Sequence, residues 1–407
     1  MKNKKAQKWI EGRKNWKQKL SNHFKPTSCC CWVHCASLGE FEQARPIIES
    51  LKSKFPSVQI LLTFFSPSGY EVRKDYPFAD YIAYLPLDSP TNANYFIQTI
   101  QPAVALFIKY EYWYYYLKTL RQKKIPCFLV AAIAHKKSLI LHPLLRSFYQ
   151  AIFRCYTCIF AQDEQTAQNL HSTLQVDKGK IIISGDPRFD RVAAVASQRL
   201  ELPELERLLK DRWVLVAGST WNKDVFILSK ALKLLTRDQF LPALSFILVP
   251  HEVNSSNIDY IKYCFRFFPV LRYSEIGGKT EEHSKLPILI LIVDKIGFLS
   301  KLYRWGNLCY VGGGFGVGVH NVLEAAVYGK RVLWGPNFQK SREAKDLISL
   351  GAAACVFKPM QVVEEIKMAC NNPGLLEKSQ KIAKDYCLQN QGATLIVLGE
   401  VEKVLVN

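Results

Sequence analysis

No segment of this chain approaches the roughly 18 consecutive apolar residues that a membrane-spanning helix requires, and none reads as a secretory leader. Internal repeats and low-complexity tracts are lacking as well. Acidic residues are in short supply: 35 Asp and Glu stand against 54 Lys and Arg, a formal charge of +19. That deficit points to an anionic partner, whether nucleic acid, phospholipid headgroups or a phosphorylated substrate. No recognised nucleic-acid-binding module accompanies the charge. The 12 cysteines form no short-spaced framework, and most lie in apolar runs, which fits a reduced, cytoplasmic compartment. Cys155 and Cys158 have CxxC spacing, but no second pair or nearby histidine completes a tetrahedral metal site. An Asp-x-Asp pair, the usual holder of a divalent ion on a nucleotide sugar, is missing too.

What is present is a chain of 407 residues, 49% hydrophobic, a length at which two domains of roughly 200 residues are the natural expectation. Apolar runs alternate with polar segments of helical length. CCCWVHCA (Cys29 to Ala36), QILLTFF, DYIAYLP, AVALFIKY, PCFLVAAI, TCIFAQ and IIISGD read as strands of a parallel sheet covered on both faces. VAAVASQRLELPELERLLKDR holds no strand-like run and a proline, so the interdomain connection is placed there. The rhythm then restarts with WVLVAGST, LSFILVP, PILILIVD, LCYVGGG and RVLWGP. The reading is α/β, with residues 1–195 and 196–385 as two Rossmann-like domains and residues 386–407 as a terminal helix.

The most informative stretch runs from Cys309 to Ala344. An apolar strand leads into Gly312, Gly313 and Gly314, and His320 is expected to open an amphipathic helix carrying Asn321 and Glu324 on one face. Such a loop brings backbone N–H groups and a positive helix end toward phosphate, while Glu324 can accept from vicinal hydroxyls. In open parallel sheets ligands bind beyond the carboxyl ends of strands. The polar residues just after each strand are therefore the candidates: Ser37, Gly39 and Glu40; Ser66, Ser68 and Gly69; Glu111; Gly218, Ser219 and Thr220; His251 and Glu252; and Gly312 to Glu324. Each has a plainer alternative. Glycines mark tight turns, Glu40 is an ordinary first-turn acid, Glu111 bonds neighbouring tyrosines, and His251 and His320 are structural.

Taken in order, these residues resemble the 3-deoxy-manno-octulosonate (Kdo) transferase family. WVHCASLGEFEQARPIIESL looks like its first-strand signature with the S-x-G-E glutamate, SPSGYE like its T-x-T-G turn, and YEYW like its E-x-W. GDPRFD, AGSTW, VPHE and VGGGFGVGVHNVLEAAVYGKRVLWGPNFQKSREAKDL follow in the family's order, so that the resemblance runs from Trp9 to about Ile396. It implies a GT-B fold, two facing Rossmann-like domains with a cleft between them and the last helix crossing back to the first. It implies inverting transfer of Kdo from CMP-Kdo to the lipid A precursor (lipid IVA), with Glu40 as general base and Glu111 as the second catalytic carboxylate.

By the same resemblance Gly218, Ser219, Thr220, His251, Gly313, Gly314, His320, Asn321 and Glu324 bind the donor, and Ser37, Gly39, Ser68 and Gly69 the acceptor. Arg188, Lys340 and Arg342 are further candidates for phosphate or carboxylate. No metal or other cofactor is expected, CMP-Kdo being a substrate. The partners are CMP-Kdo, lipid IVA and an anionic membrane surface, at the cytoplasmic face of the inner membrane, with no nucleic acid beyond the donor's nucleotide. The family commonly carries an apolar segment ahead of W-I-E-G-R-K, which here (Trp9 to Lys14) lies almost at the start, beside eight Lys or Arg in the first 20 residues. Lys109 stands where many relatives have an acid. The alternatives are a GT-B enzyme using a UDP-sugar, a nucleic-acid binder suggested by charge alone, and a noncatalytic membrane scaffold.

Overall fold

The computed structural model describes residues 4–27, 29–135, 138–198, 200–237, 242–278 and 280–405. Lys2 of the basic start and Val406 of the expected terminal helix lie outside them. The chain divides into two compact units, one of residues 1–191 with 390–407 and the other of residues 192–389. Each is built on a sheet of seven parallel strands. Among the described residues no helix is long and apolar enough to cross a membrane.

In the first unit the strands are β1 (Cys30–Cys35), β2 (Gln59–Phe64), β3 (Tyr81–Tyr84), β4 (Val104–Ile108), β5 (Cys127–Ala132), β6 (Cys158–Ala161) and β7 (Ile181–Ile183). Their order across the sheet is β3-β2-β1-β4-β5-β6-β7. Every residue of β1 is buried, because helices cover both faces, and alternate side chains serve opposite cores. Cys31, Val33 and Cys35 pack with Phe41, Ala44 and Ile48 of the helix Leu38–Lys54. Cys30 and Trp32 pack on the other side with Phe96, Phe107 and Leu117.

The helix Ala393–Leu405 belongs to this unit, and Val397, Leu398 and Val401 join the core beneath Leu38–Lys54. The GDPRFD stretch fastens it. Asp190 accepts from the backbone N–H groups of Gly392 (2.6 Å) and Thr394 (2.7 Å), two donors at a helix start that no intrahelical carbonyl can satisfy. Asp186 accepts from Gln43, Gln162 and Arg188. Burial alone would push its carboxyl up, but the charge and hydrogen bonds of Arg188 and the amide of Gln43 outweigh that and hold it below the usual carboxylate range.

In the second unit the strands are β8 (Trp213–Thr220), β9 (Leu244–Pro250), β10 (Val270–Arg272), β11 (Ile288–Ile292), β12 (Leu308–Val311), β13 (Arg331–Trp334) and β14 (Ala353–Cys355). The order is β10-β11-β9-β8-β12-β13-β14. The five apolar runs read from the sequence are β8, β9, β11, β12 and β13. The two that the pattern missed, β10 and β14, are three-residue edge strands with too few positions to show a period. The segment given to the interdomain connection holds the end of the helix Pro187–Ser197 and the helix Pro203–Leu209.

The carboxylate of Asp190 is the removable part of the terminal clasp. Asp190→Ala is expected to cost about 1–2 kcal/mol and to lower the melting midpoint by roughly 3–6 °C. Limited proteolysis should cut first near Gly392, and an unchanged midpoint with an unchanged cleavage pattern would show that the clasp contributes nothing.

Candidate active site

Strand order reverses between β1 and β4 in the first sheet and between β8 and β12 in the second, where the edge pair β10 and β11 also departs from chain order. At such a point the two following loops leave in opposite directions and open a crevice at the carboxyl ends of the strands. Glu40 and Glu111 follow β1 and β4, while Ser219 lies at the end of β8 and the glycine stretch follows β12. The sequence candidates therefore gather at the two positions where the topology makes room for a ligand.

In the first unit Ser37 caps the helix Leu38–Lys54, its hydroxyl accepting from the N–H of Gly39 at 3.2 Å. The same hydroxyl donates to Oε2 of Glu40, which lies half-buried in the first helical turn. Burial and then the charge of Glu40 push the phenol of Tyr110 above its ordinary value, which places that ring beside Glu40. Gly39 is exposed at the mouth of this turn.

Glu111 is a different kind of carboxylate. Only 3% exposed, it faces inward: Oε2 lies 3.1 Å from Nε2 of the fully buried His34 and accepts from the indole N–H of Trp113. Its carbonyl accepts from the Tyr156 hydroxyl. His34 is held in turn by Thr63, Nδ1 to Oγ1 at 2.8 Å, and Thr63 accepts from the Trp32 indole at 2.8 Å. The buried thiol of Cys35 is pushed well above its ordinary range first by burial and then by Glu40, Glu111 and Glu42, so both candidate carboxylates lie near it. Lys109, two residues before Glu111, takes a left-handed backbone with φ 72°, uncommon for a residue with a Cβ.

The turn after β2 separates the acceptor candidates. Ser66 caps the helix Pro67–Arg73 and its hydroxyl lies 3.0 Å from that of the exposed Ser68. Gly69 is buried, and a Cβ there would run into the ring of Phe64. Arg188, a candidate for phosphate, places its guanidinium on Asp186.

In the second unit the candidates sort into packing and accessible groups. Gly218 and Gly312 lie where side chains cannot fit: a Cβ on the first would meet Tyr303 and Leu299, and on the second the carbonyl of Ser219. Gly314 abuts the backbone of Gly335. Gly313 takes φ 91°, and its N–H donates to Oδ2 of Asp224 at 2.9 Å. The N–H groups of Gly316 and Gly318 both turn inward to the Gly313 carbonyl. Two of the loop's donors are therefore spent on the loop itself and a third on Asp224.

The helix expected from His320 is also shorter than the sequence suggested. His320 donates its N–H to the Gly312 carbonyl, and the helix spans only Leu323–Ala326. Asn321 caps this turn by accepting from Leu323 at 3.2 Å and gives its amide to Glu324 at 3.3 Å, so the Asn-x-x-Glu pair is assembled without a long helix behind it. Thr220 directs its hydroxyl to the Val249 carbonyl, and Ser219 takes a left-handed φ of 49°. Lys340 is exposed, and Nε of Arg342 lies 3.6 Å from Asp346.

His251 and His320 stack at 4.4 Å, and the indole of Trp221 stacks on His251 at 4.6 Å. Trp221 Nε1–H donates to His320 Nε2 at 2.9 Å. An indole can only donate, so Nε2 is unprotonated and a neutral His320 carries its hydrogen on Nδ1. Burial, and next the neighbouring His251, bring His320 down to about 4. Thr220, Trp221, His251 and Phe315 line a cavity of about 320 Å³ beside the stack.

Three residues central to this geometry escaped the sequence reading. His34 lies inside an apolar strand, Trp221 is the last residue of AGSTW, and Asp224 belongs to none of the motifs. Asp224 is fully buried and joins the two loops of its switch point, accepting from Trp221 N–H, Gly313 N–H and the Tyr310 hydroxyl. Burial raises its carboxyl despite those donors. The sequence signal was an acid three residues into a helix, directly after a strand-ending Gly-Ser-Thr.

Residues 14–191 match the family model described as 3-deoxy-D-manno-octulosonic-acid transferase (kdotransferase). Proteins named 3-deoxy-D-manno-octulosonic acid transferase are similar over most of the chain. That of Aquifex aeolicus is 29% identical over 78% of this chain and 79% of its own length. That of Haemophilus influenzae is 28% identical over 89% and 84%, and that of Rickettsia felis 26% over 79% and 67%. Solved structures with the same fold include the UDP-GlcNAc 2-epimerase of Neisseria meningitidis, with a TM-score of 0.63 at 15% identity over 92% of this chain and 100% of that one. MurG of Acinetobacter baumannii gives 0.57 at 14% identity over 92% and 99%. These neighbours are of the GT-B class, and their likeness is one of fold.

The histidine stack carries a pH dependence whose sign follows from the shift. In the unfolded chain His320 takes its proton near 6.5 and in the native one only near 4, so between those values the unfolded state binds more protons and is favoured as pH falls. His251 is shifted down as well, by burial, and acts in the same direction. The melting midpoint should therefore drop from pH 6.5 to pH 4, and His320→Asn should flatten that slope by roughly 2–4 °C over the interval. An identical slope in the variant would remove the stack from the account.

Proposed function

We propose that this chain, whose residues 14–191 carry the Kdo transferase family domain, is a glycosyltransferase of lipopolysaccharide synthesis that moves Kdo from CMP-Kdo to lipid IVA with inversion. The observation that carries the reading is Glu40: a half-buried carboxylate at the switch point of its sheet, oriented by Ser37 and backed by a second, buried carboxylate at the next strand end. In the proposed step an acceptor hydroxyl attacks the anomeric carbon of Kdo. Its proton passes to Glu40, the new glycosidic C–O bond forms, and the bond to the CMP phosphate breaks with its electron pair leaving on CMP. Through the oxocarbenium-like state the ionised Glu40 also favours the positive charge developing on the sugar.

On the donor side Glu324, turned by Asn321, offers acceptors for ribose hydroxyls, and neutral His320 offers an N–H that stays in place without adding charge. The assignment needs no metal, since CMP leaves as a stable phosphate monoester. The basic helix Lys4–Gly12, with Trp9 among its lysines, supports docking on an anionic membrane surface at the cytoplasmic face of the inner membrane. The fold neighbours that act on UDP-sugars make a UDP-sugar enzyme the second reading.

Mass spectrometry of lipid IVA incubated with the protein and CMP-Kdo should show a mass gain of one or more Kdo units and release of CMP. Glu40→Gln should lower kcat by roughly 10²–10⁴-fold while leaving donor binding intact, as expected for loss of a general base. Turnover of a UDP-sugar without any from CMP-Kdo, or full activity in Glu40→Gln, would reject the assignment.

A further inference from the structure

In the second unit the helix Asn222–Leu235 has two unlike faces. Val225, Leu228, Leu232 and Leu235 are buried in the core, where Ile261 and Cys264 of the helix Ser255–Cys264 join them. The opposite stripe, spaced by three, four and three residues, reads Lys223, Phe226, Lys230 and Lys233. An ordinary solvent face mixes both signs of charge and carries few large rings. Here Phe226 is 47% exposed, and Tyr263 and Phe267, in the last turn of the second helix and just past it, are 63% and 68% exposed.

Rings and cations interleave along this face. Lys230 Nζ lies over the ring of Phe226 at 5.4 Å, and Lys233 Nζ over that of Phe267 at 4.7 Å. The guanidinium of Arg266 lies 4.6 Å from the rings of both Tyr263 and Phe267. The contact of Lys233 with Phe267 crosses from one helix to the segment that follows the other, so the two stripes form one surface. Lys223, Lys230, Lys233, Lys262 and Arg266 give it its charge, and the one acid exposed on either helix is Asp259. Among the described residues none of these cations pairs with a carboxylate.

Lysine and arginine set among exposed rings, with almost no acid, match the headgroup layer of an anionic bilayer. Phosphates there take the cations, and the ring edges enter the boundary with the acyl chains. A single-stranded nucleic acid also meets cations and rings, but it stacks its bases on free ring faces. Each of these three rings already has a cation over its face, which leaves the edges to face outward. We propose that the outer face of the helices Asn222–Leu235 and Ser255–Cys264 is a docking surface for an anionic phospholipid bilayer. It is separate from the helix Lys4–Gly12, which belongs to the first unit, and it needs neither Kdo nor Glu40.

The test is co-sedimentation of the full chain with vesicles of phosphatidylethanolamine and phosphatidylglycerol in equal parts, beside vesicles of phosphatidylcholine alone. The parent protein should partition onto the first and hardly onto the second, and less so as salt is raised. Replacing three cations together, Lys230→Gln, Lys233→Gln and Arg266→Gln, should lower partitioning at least about 10-fold. The exchange Lys230→Arg, Lys233→Arg and Arg266→Lys should keep it. Phe226→Ser, Tyr263→Ser and Phe267→Ser together should weaken binding by a similar factor and leave its salt dependence in place. Lys233→Gln and Phe267→Ser taken singly should each cost roughly 3–5-fold, so the test does not depend on the triple variants folding well. The loss on removing charge from the terminal helix, by Lys4→Gln, Lys5→Gln and Lys8→Gln, should add to that of the triple cation variant. Parental partitioning in both triple variants with near-parental melting midpoints, or equal binding to phosphatidylcholine, overturns the proposal. So does parental vesicle binding in variants that lose affinity for a single-stranded oligonucleotide or lose a dimer, since the face would then serve nucleic acid or a second copy of the chain. Turnover of CMP-Kdo on lipid IVA dispersed in detergent should stay parental in these variants. Its absence from the parent protein would sink the transferase reading and leave this surface to be decided by the vesicles.

Discussion

The reversal of strand order in a parallel sheet is the constraint on which the rest of this structure depends. Every strand of such a sheet needs a crossover that returns the chain to the same end, and right-handed crossovers place helices on one face while the order runs one way and on the other when it turns back. Only at the reversal do two neighbouring strand ends lack a helix spanning them. In the first unit that place falls between β1 and β4, and in the second between β8 and β12. The catalytic candidates need no special loops to reach a crevice; the order of the strands makes one and sets their spacing.

The polar groups at the two reversals are fixed by opposite means. At β1/β4 the fixing is done from beneath, by a line of side chains through the core from Trp32 to Thr63, His34 and Glu111. At β8/β12 it is done by one buried carboxylate, Asp224, which ties both loops through backbone and phenol donors. Burying a carboxylate is costly unless its acceptors are met, and both Glu111 and Asp224 meet the requirement with N–H or O–H donors rather than with arginine.

The architecture was legible because a sheet covered on both faces demands long apolar strands, and runs such as CCCWVHCA and LSFILVP are hard to read otherwise. The helix start at Glu40 was equally plain, since Ser37 and Gly39 are capping chemistry. What stayed hidden was the direction in which each polar group points. A histidine inside CCWVHC looks like any core residue until Glu111 is brought to it from a strand that lies roughly 70 positions away in sequence and next to it in space. The glycines have a packing reason that composition does not show: at Gly69, Gly218, Gly312 and Gly314 a neighbouring ring or backbone occupies the place of a Cβ. Short edge strands such as β10 and β14 carry too little pattern for any reading of period to find them.

Not every one of the 54 Lys and Arg is on offer to a ligand, and the reason lies in where individual cations are spent. Arg13 gives its guanidinium to the carbonyls of Trp9, Phe65 and Leu85 and lies against the rings of Trp9 and Tyr84. Burial brings it down to about 10. Arg212 is buried on the carbonyls of Leu244, Ser284 and Leu286 and the hydroxyl of Ser245. Arg188 serves Asp186, and Arg331 serves Glu365. These arginines hold the fold together, because a planar fork of five donors can satisfy several carbonyls at once while a lysine cannot. The excess that remains outside is carried mostly by lysine, as in the helix Lys4–Gly12, where a compact, strongly hydrated charge on a flexible stem suits a diffuse anionic surface better than a shaped pocket. The division of labour between the two cations thus separates the part of the charge that builds the protein from the part that can meet a partner.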